Sequence, residues 1–170
     1  LRENKSSAKR ADFIVVTKCP DNLSKKDKNL FIQSLNPVEN QKVFFSSLTY
    51  LQKIKSQSEE IDIDVLKDDN FILVTGIADS SYLVNFLKLK DLKFKHLRYS
   101  DHYNFNKSSI DKISELSLNK KILTTEKDFG RLNPKINNRD IFYIEVGLKF
   151  PNEINEDDFD SYLEGYLKRD

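Results

Sequence analysis

The stretch FILVTGIA, residues 71–78, decides the fold. Its first five residues are apolar or β-branched without the polar alternation of a half-exposed strand, which is how a strand covered on both faces reads. Comparable runs lie at 13–18 (FIVVTK), 42–48 (KVFFSSL), 94–99 (FKHLRY), 121–125 (KILTT) and 141–146 (IFYIEV). Helix-like segments separate most of them. Strands alternating with helices predict an α/β domain, layered, with a mostly parallel sheet flanked by helices.

The helix signals are local. Ser24 and Asp27 have capping-box spacing before KNLFIQSL, and Ser108 and Asp111 repeat it before KISELSL. Phe159, Tyr162, Leu163 and Tyr166 fall at i, i+3, i+4 and i+7 and predict the apolar face of a terminal helix. Residues 52–70 are polar and predict a solvated excursion, with IDIDV as a short edge strand. RLNPKINNRD (131–140) reads as a loop. No internal repeat or domain linker is evident, so residues 1–170 are expected to form a single α/β lobe.

With 28 basic against 27 acidic side chains in 170 residues, the chain lacks the cationic surplus of a general nucleic-acid binder, and no nucleic-acid partner is expected. One cysteine excludes an internal disulfide and a thiolate zinc cage; Cys19 reads as a small buried hydrophobe. Two separated histidines and scattered carboxylates show no metal-ligand spacing, so no metal site is expected within these residues. No apolar run approaches the ~20 residues of a membrane span.

Ligands of open parallel sheets bind at the carboxyl ends of the strands. That rule selects TKCPD, TGIADSS, SDHYNF and TTEKDFGRL, with LRE at the start of the chain. In SDHYNF (100–105), Asp101 precedes His102, the side chain that titrates nearest neutral pH. On an extended segment the two would point to opposite sides, one facing a cleft and the other tying down the loop. In TTEKDFGRL (124–132), Thr125 and Asp128 fit a helix cap, leaving Glu126, Lys127 and Arg131 to pair or to contact a ligand. Gly76 fits a sharp turn or a close approach to the backbone. Thr17 and Lys18, in VVTKCPD, resemble strand-end motifs that place a lysine stem against a nucleotide base. His96 reads as structural. No G-x-x-x-x-G-K-[ST], G-x-G-x-x-G or G-x-S-x-G is present. A non-catalytic nucleotide- or protein-binding module therefore remains open beside an enzyme.

Taken in order, LRE, ADFIVVTKCP, LVTGIADSSYLVNFL, SDHYNF and TTEKDFGRL resemble the C-terminal half of the tetraacyldisaccharide 4'-kinases, the lipid A kinases of Gram-negative bacteria, and in particular members from Bacteroidetes. The resemblance implies the C-terminal lobe of a P-loop-type kinase that transfers the ATP γ-phosphate to the 4'-hydroxyl of a tetraacyldisaccharide 1-phosphate, giving lipid IVA. It also implies that the chain is a fragment, inactive alone. ATP and Mg2+ would be bound mainly by an N-terminal half that also contacts the cytoplasmic face of the inner membrane. His102 would partner a catalytic aspartate on that half, with Asp101 supporting the loop. Arg2 would face the transferring phosphate, and Glu3 would hold Arg2 or a magnesium-bound water. Tyr103 stands where many members have a second histidine, and Asp79-Ser80 where an Asn-Pro-like pair is common.

Overall fold

The computed structural model describes residues 5–136, 140–150 and 156–168. Arg2 and Glu3 lie outside the described residues. In chain order the strands and α-helices are β1 (Phe13–Val16), α1 (Lys25–Leu35), β2 (Lys42–Phe45), β3 (Ser47–Lys55), β4 (Glu60–Asp62), β5 (Phe71–Thr75), α2 (Ser81–Leu89), β6 (Phe94–Arg98), α3 (Lys107–Leu116), β7 (Ile122–Thr125), α4 (Glu126–Leu132), β8 (Ile141–Lys149) and α5 (Glu156–Leu167). They fall into two compact units, Leu1–Thr49 with Gly147–Asp170, and Tyr50–Val146.

In the first unit β1 and β2 pair in parallel, Phe13 opposite Lys42 and Val16 opposite Phe45, with α1 as the connection. Ser24 caps α1 as its spacing predicts: its Oγ accepts from the Asp27 N–H at 3.1 Å and donates to the Asp27 carboxylate at 2.6 Å. The helix ends at Asn36, whose left-handed φ of 48° turns the chain and lets its N–H reach the Ile32 carbonyl. The terminal helix presents Phe159 and Tyr162 to Phe13 and Phe44, ring centroids 5.0–6.0 Å apart, as its apolar spacing predicts. Cys19 departs from expectation. It is half-buried rather than buried, with its thiol 3.3 Å from the Val16 carbonyl, because β1 ends at Val16 and the chain is already leaving the sheet.

The second unit is built on a six-stranded sheet in the order β4-β3-β8-β7-β5-β6. The pairs β5 with β6, β5 with β7 and β7 with β8 are parallel, so the layered, mostly parallel α/β fold holds. Period-two alternation sends successive residues to opposite faces. Phe71 and Leu73 of β5 join Leu123, Phe142 and Ile144 under Leu83 and Leu87 of α2. Ile72 and Val74 join Ile122 and Ile141 under Ile113 of α3 and Leu132 of α4. All five residues of β5 are buried, as a strand covered on both faces requires.

Residues 52–70 are not a solvated excursion. β3 runs on to Lys55, and β4 pairs antiparallel to it at the sheet edge, which accounts for the edge strand expected near IDIDV. Ile63 and Leu66 follow on a 3-10 turn with no exposed surface. The charged residues that disguise this segment stand on its outer side, where Lys53 pairs with Glu60 at 2.8 Å and Lys55 with Glu145 at 2.7 Å. Alpha-3 also starts earlier than the Ser108–Asp111 spacing predicts. Asn106 is its cap, accepting from the Ser109 N–H at 3.0 Å, because the extended chain ends there. Arg131 and Leu132, expected in a loop, close α4 instead.

Candidate functional site at the strand switch point

From β5 the chain steps to one side to form β6, then crosses back to form β7 on the other side of β5. The loops leaving β5 and β7 therefore diverge, and an open α/β sheet forms its ligand crevice at such a switch point. TGIADSS, SDHYNF and TTEKDFGRL all lie at this end of the second unit.

Asp128 organises the junction. It has no exposed surface, and its Oδ2 accepts from the Gly76 N–H at 2.6 Å and the Thr125 hydroxyl at 3.0 Å. Its Oδ1 takes Arg131 Nη1 at 3.3 Å. Thr125 caps α4 as predicted, accepting from the Asp128 N–H at 3.2 Å. Gly76 is required by close approach: a β-carbon there would lie 3.1 Å from Asp128 Oδ1 and 3.4 Å from Phe105. Arg131 also donates to the Tyr103 carbonyl and lies over the Phe105 ring at 5.5 Å, tying α4 to the SDHYNF loop.

That loop is a turn packed on an aromatic triad. Tyr99, Tyr103 and Phe105 have centroids 4.7–5.4 Å apart, and Phe105 is buried. Lys135 donates to the Phe105 carbonyl at 2.8 Å, closing the loop from the turn that follows α4. His102 takes a left-handed φ of 56°. Its N–H is held by the Gly76 carbonyl at 3.2 Å and the Asp101 carboxylate at 3.0 Å.

The turn corrects the extended-segment argument: the side chains of Asp101 and His102 do not diverge to opposite sides. His102 Nε2 lies 3.7 Å from Asp101 Oδ2, within ion-pair range but too long for a hydrogen bond. Asp101 instead ties down the loop, with Lys127 Nζ 3.0 Å from Oδ1. The lysine hydrogen bond, with the charge of His102 behind it, holds the Asp101 carboxyl below the usual carboxylate range. Lys127 Nζ also reaches His102 Nε2 at 3.5 Å. The imidazole is 76 % exposed and so open to a ligand. His96 is structural as expected, bonded through Nε2 to the buried Thr75 hydroxyl at 2.8 Å; burial, then Arg98, lowers its pKa.

Of the sequence-derived candidates, the fold brings together Asp101, His102, Thr125, Lys127, Asp128 and Arg131. Glu126 is exposed and takes no part in these contacts. Thr17 and Lys18 belong to the first unit, both exposed just beyond β1, with Lys18 at a φ of 60°. Lys135 and Tyr99 were not singled out, since a lone lysine in a polar stretch and a strand-end tyrosine carry no spacing signal. Asp79 accepts from the Ser81 N–H at 2.9 Å and so starts α2 where the Asn-Pro-like pair is replaced.

The Gly76 N–H at the switch point is taken by Asp128, Lys127 is paired with Asp101, and no group of three or more metal-ligating side chains converges among the described residues.

The class these features define is a doubly wound α/β domain with an exposed histidine and a buried carboxylate anchor at its switch point. The chain belongs to the LpxK family, tetraacyldisaccharide-1-P 4'-kinase, whose model matches residues 1–167. It is 37 % identical over 170 residues to a tetraacyldisaccharide 4'-kinase of Flavobacterium psychrophilum, covering 99 % of this chain and 48 % of that protein. It is 30 % identical over 187 residues to one of Bacteroides thetaiotaomicron, covering 99 % and 49 %. These relatives fit the Bacteroidetes likeness. The chain thus spans about half the length of the curated relatives it matches. A crystal structure of LpxK from Aquifex aeolicus in complex with ATP superposes with a TM-score of 0.60 at 22 % identity, covering 99 % of this chain and 45 % of that one. At that identity the likeness supports the fold.

Proposed function

We propose that this chain is the C-terminal α/β portion of a lipid A 4'-kinase, which moves the γ-phosphoryl group of ATP to the 4'-hydroxyl of a tetraacyldisaccharide 1-phosphate. The observation that carries the reading is His102, which is exposed, held in a left-handed turn by two hydrogen bonds and set at the switch point of a family member's sheet. Uncommon backbone conformations held by surrounding bonds concentrate at functional sites.

In this reaction the 4'-hydroxyl oxygen forms a bond to phosphorus, the bond to the departing ADP breaks, and a base takes the hydroxyl proton. Catalysis rests on positioning and charge stabilisation. The part of this chain is to orient the base. His102 meets a carboxylate supplied by residues outside this chain, and Asp101 holds the turn that presents the ring. Arg2, with Glu3 beside it, acts on the transferring phosphoryl charge. Thr17 and Lys18 lie against the nucleotide. The switch-point assembly of Thr125, Asp128 and Arg131 keeps the His102 loop in place, and Glu126 stands exposed beside it. The phosphate loop and the Mg2+ ligands belong to other residues of the enzyme, as does its contact with the cytoplasmic face of the inner membrane. Within this chain, no helix among the described residues is long and apolar enough to cross a membrane.

The test is His102→Ala in the enzyme expressed from its complete reading frame, assayed for ATP-dependent phosphorylation of the disaccharide lipid. A base contributes ~100- to 10,000-fold to turnover, and loss of the group that orients it should forfeit a large part of that factor. Undiminished kcat in a folded variant would remove His102 from the reaction.

A further inference from the structure

The contact between Lys127 and His102 fixes more than a distance. A lysine ammonium has three donor hydrogens and no acceptor. Its approach to His102 Nε2 at 3.5 Å is therefore a hydrogen bond only when Nε2 carries a lone pair. A neutral imidazole with a bare Nε2 carries its proton on Nδ1. The carboxylate that could reverse this arrangement is badly placed. Asp101 Oδ2 is 3.7 Å from Nε2, and Oδ1 already accepts from Lys127 at 3.0 Å and from the His102 N–H at 3.0 Å. Asp101 thus anchors the ammonium, and the ammonium addresses the ring.

The surroundings restrict both partners. Lys127 is the second residue of α4, whose first turn is fixed by the Thr125 cap and the buried Asp128 carboxylate. His102 has its backbone pinned to Gly76 and Asp101. Among the described residues the hydrogen bonds to His102 involve its backbone N–H and Nε2, not Nδ1, and the imidazole is 76 % exposed.

We propose that Lys127 is a positioning residue: held by Asp101, it fixes His102 as the Nδ1–H tautomer and turns that N–H outward as a donor to an incoming carboxylate. A ring presented this way can hold and orient a carboxylate base. The free imidazole prefers the opposite tautomer, so without Lys127 the donor would sit on the wrong nitrogen. The functional use of this device rests on the kinase reading given above, but the tautomer itself does not.

The chain has two histidines, so labelling them with 15N gives two ring systems to follow. His96→Gln assigns them. At about pH 8, wild-type His102 should show a pyridine-like Nε2 and a protonated, pyrrole-like Nδ1. Lys127→Met should move Nε2 to the pyrrole-like position, while Lys127→Arg, which still donates, should retain the wild-type pattern. The His96 resonances, tied to Thr75, report whether each variant keeps its fold. A protonated Nε2 in wild type overturns the proposal even if no variant folds, and so does a Lys127→Met spectrum identical to wild type. In the complete enzyme, Lys127→Met should lower kcat with KM unchanged, with partial recovery in Lys127→Arg. If the tautomer shifts as expected but His102→Ala retains full turnover, the kinase role of His102 fails while the tautomer assignment stands.

Discussion

Replacing Asp128 with alanine should damage the second unit about as much as removing a core side chain, although the residue sits in a polar stretch of sequence. The side chain has no exposed surface and accepts from Gly76 N–H, Thr125 Oγ1 and Arg131 Nη1 at 2.6, 3.0 and 3.3 Å. Truncation leaves the Gly76 N–H buried without a partner, which costs about 1–3 kcal/mol. Arg131 is 30 % exposed, so water and the Tyr103 carbonyl limit its own loss to about 1 kcal/mol. Together these give a loss of about 2–4 kcal/mol. With a urea m-value of about 1–3 kcal/mol per molar, the unfolding midpoint should fall by roughly 0.7–4 M. Asp128→Asn keeps an acceptor for Gly76 but sets its amide against a donor of Arg131, so a smaller loss of about 1–2 kcal/mol is expected. The assay is urea unfolding of the 170-residue chain followed by far-ultraviolet circular dichroism. A shift in the alanine variant below about 0.3 M at unchanged m would refute the view that this carboxylate holds the switch point together.

Other expectations follow from the same geometry. Asn106→Ala removes the cap of α3 and should cost about 0.5–2 kcal/mol, whereas Ser108→Ala, two residues on, should cost far less; urea midpoints of the two variants separate them. His96 gives a pH dependence. Its pKa is lowered in the folded chain by burial and Arg98, so the unfolded chain binds the proton more readily. Its contribution to stability is complete above the ordinary value of ~6.5 and is lost as pH falls through the lower folded value. Wild type should therefore lose stability between neutral and mildly acid pH, and His96→Gln should flatten that loss; equal slopes in the two proteins would sink the assignment.

Local signals were legible where the chain makes its structure from neighbours. The Ser24–Asp27 and Thr125–Asp128 caps, the apolar run of β5 and the apolar face of α5 need only residues a few positions apart. Residues 52–70 misread for a physical reason. Ile54, Ile63 and Leu66 are buried, but lysines and acids on the outer face dilute the hydrophobic pattern until the burying partners, among them Phe71 and Leu83, are known. The α3 cap misread because Asn106 and Ser108 are both good caps, and only the path of the chain after Phe105 decides between them.

The sequence by itself determined the alternating α/β class, the strands at 13–16, 71–75, 94–98, 122–125 and 141–149 within a residue or a few, and the strand-end loops that carry Asp101, His102 and Thr125–Arg131. It determined these because propensity, period and capping act over short distances. Only the tertiary structure decided how the loops meet. The bonds from Asp128 to Gly76 and from Lys127 to Asp101 and His102 join residues 25 to 52 positions apart. No local pattern encodes them. They arise because β7 returns to the opposite side of β5 from β6, bringing three loops to one end of the sheet.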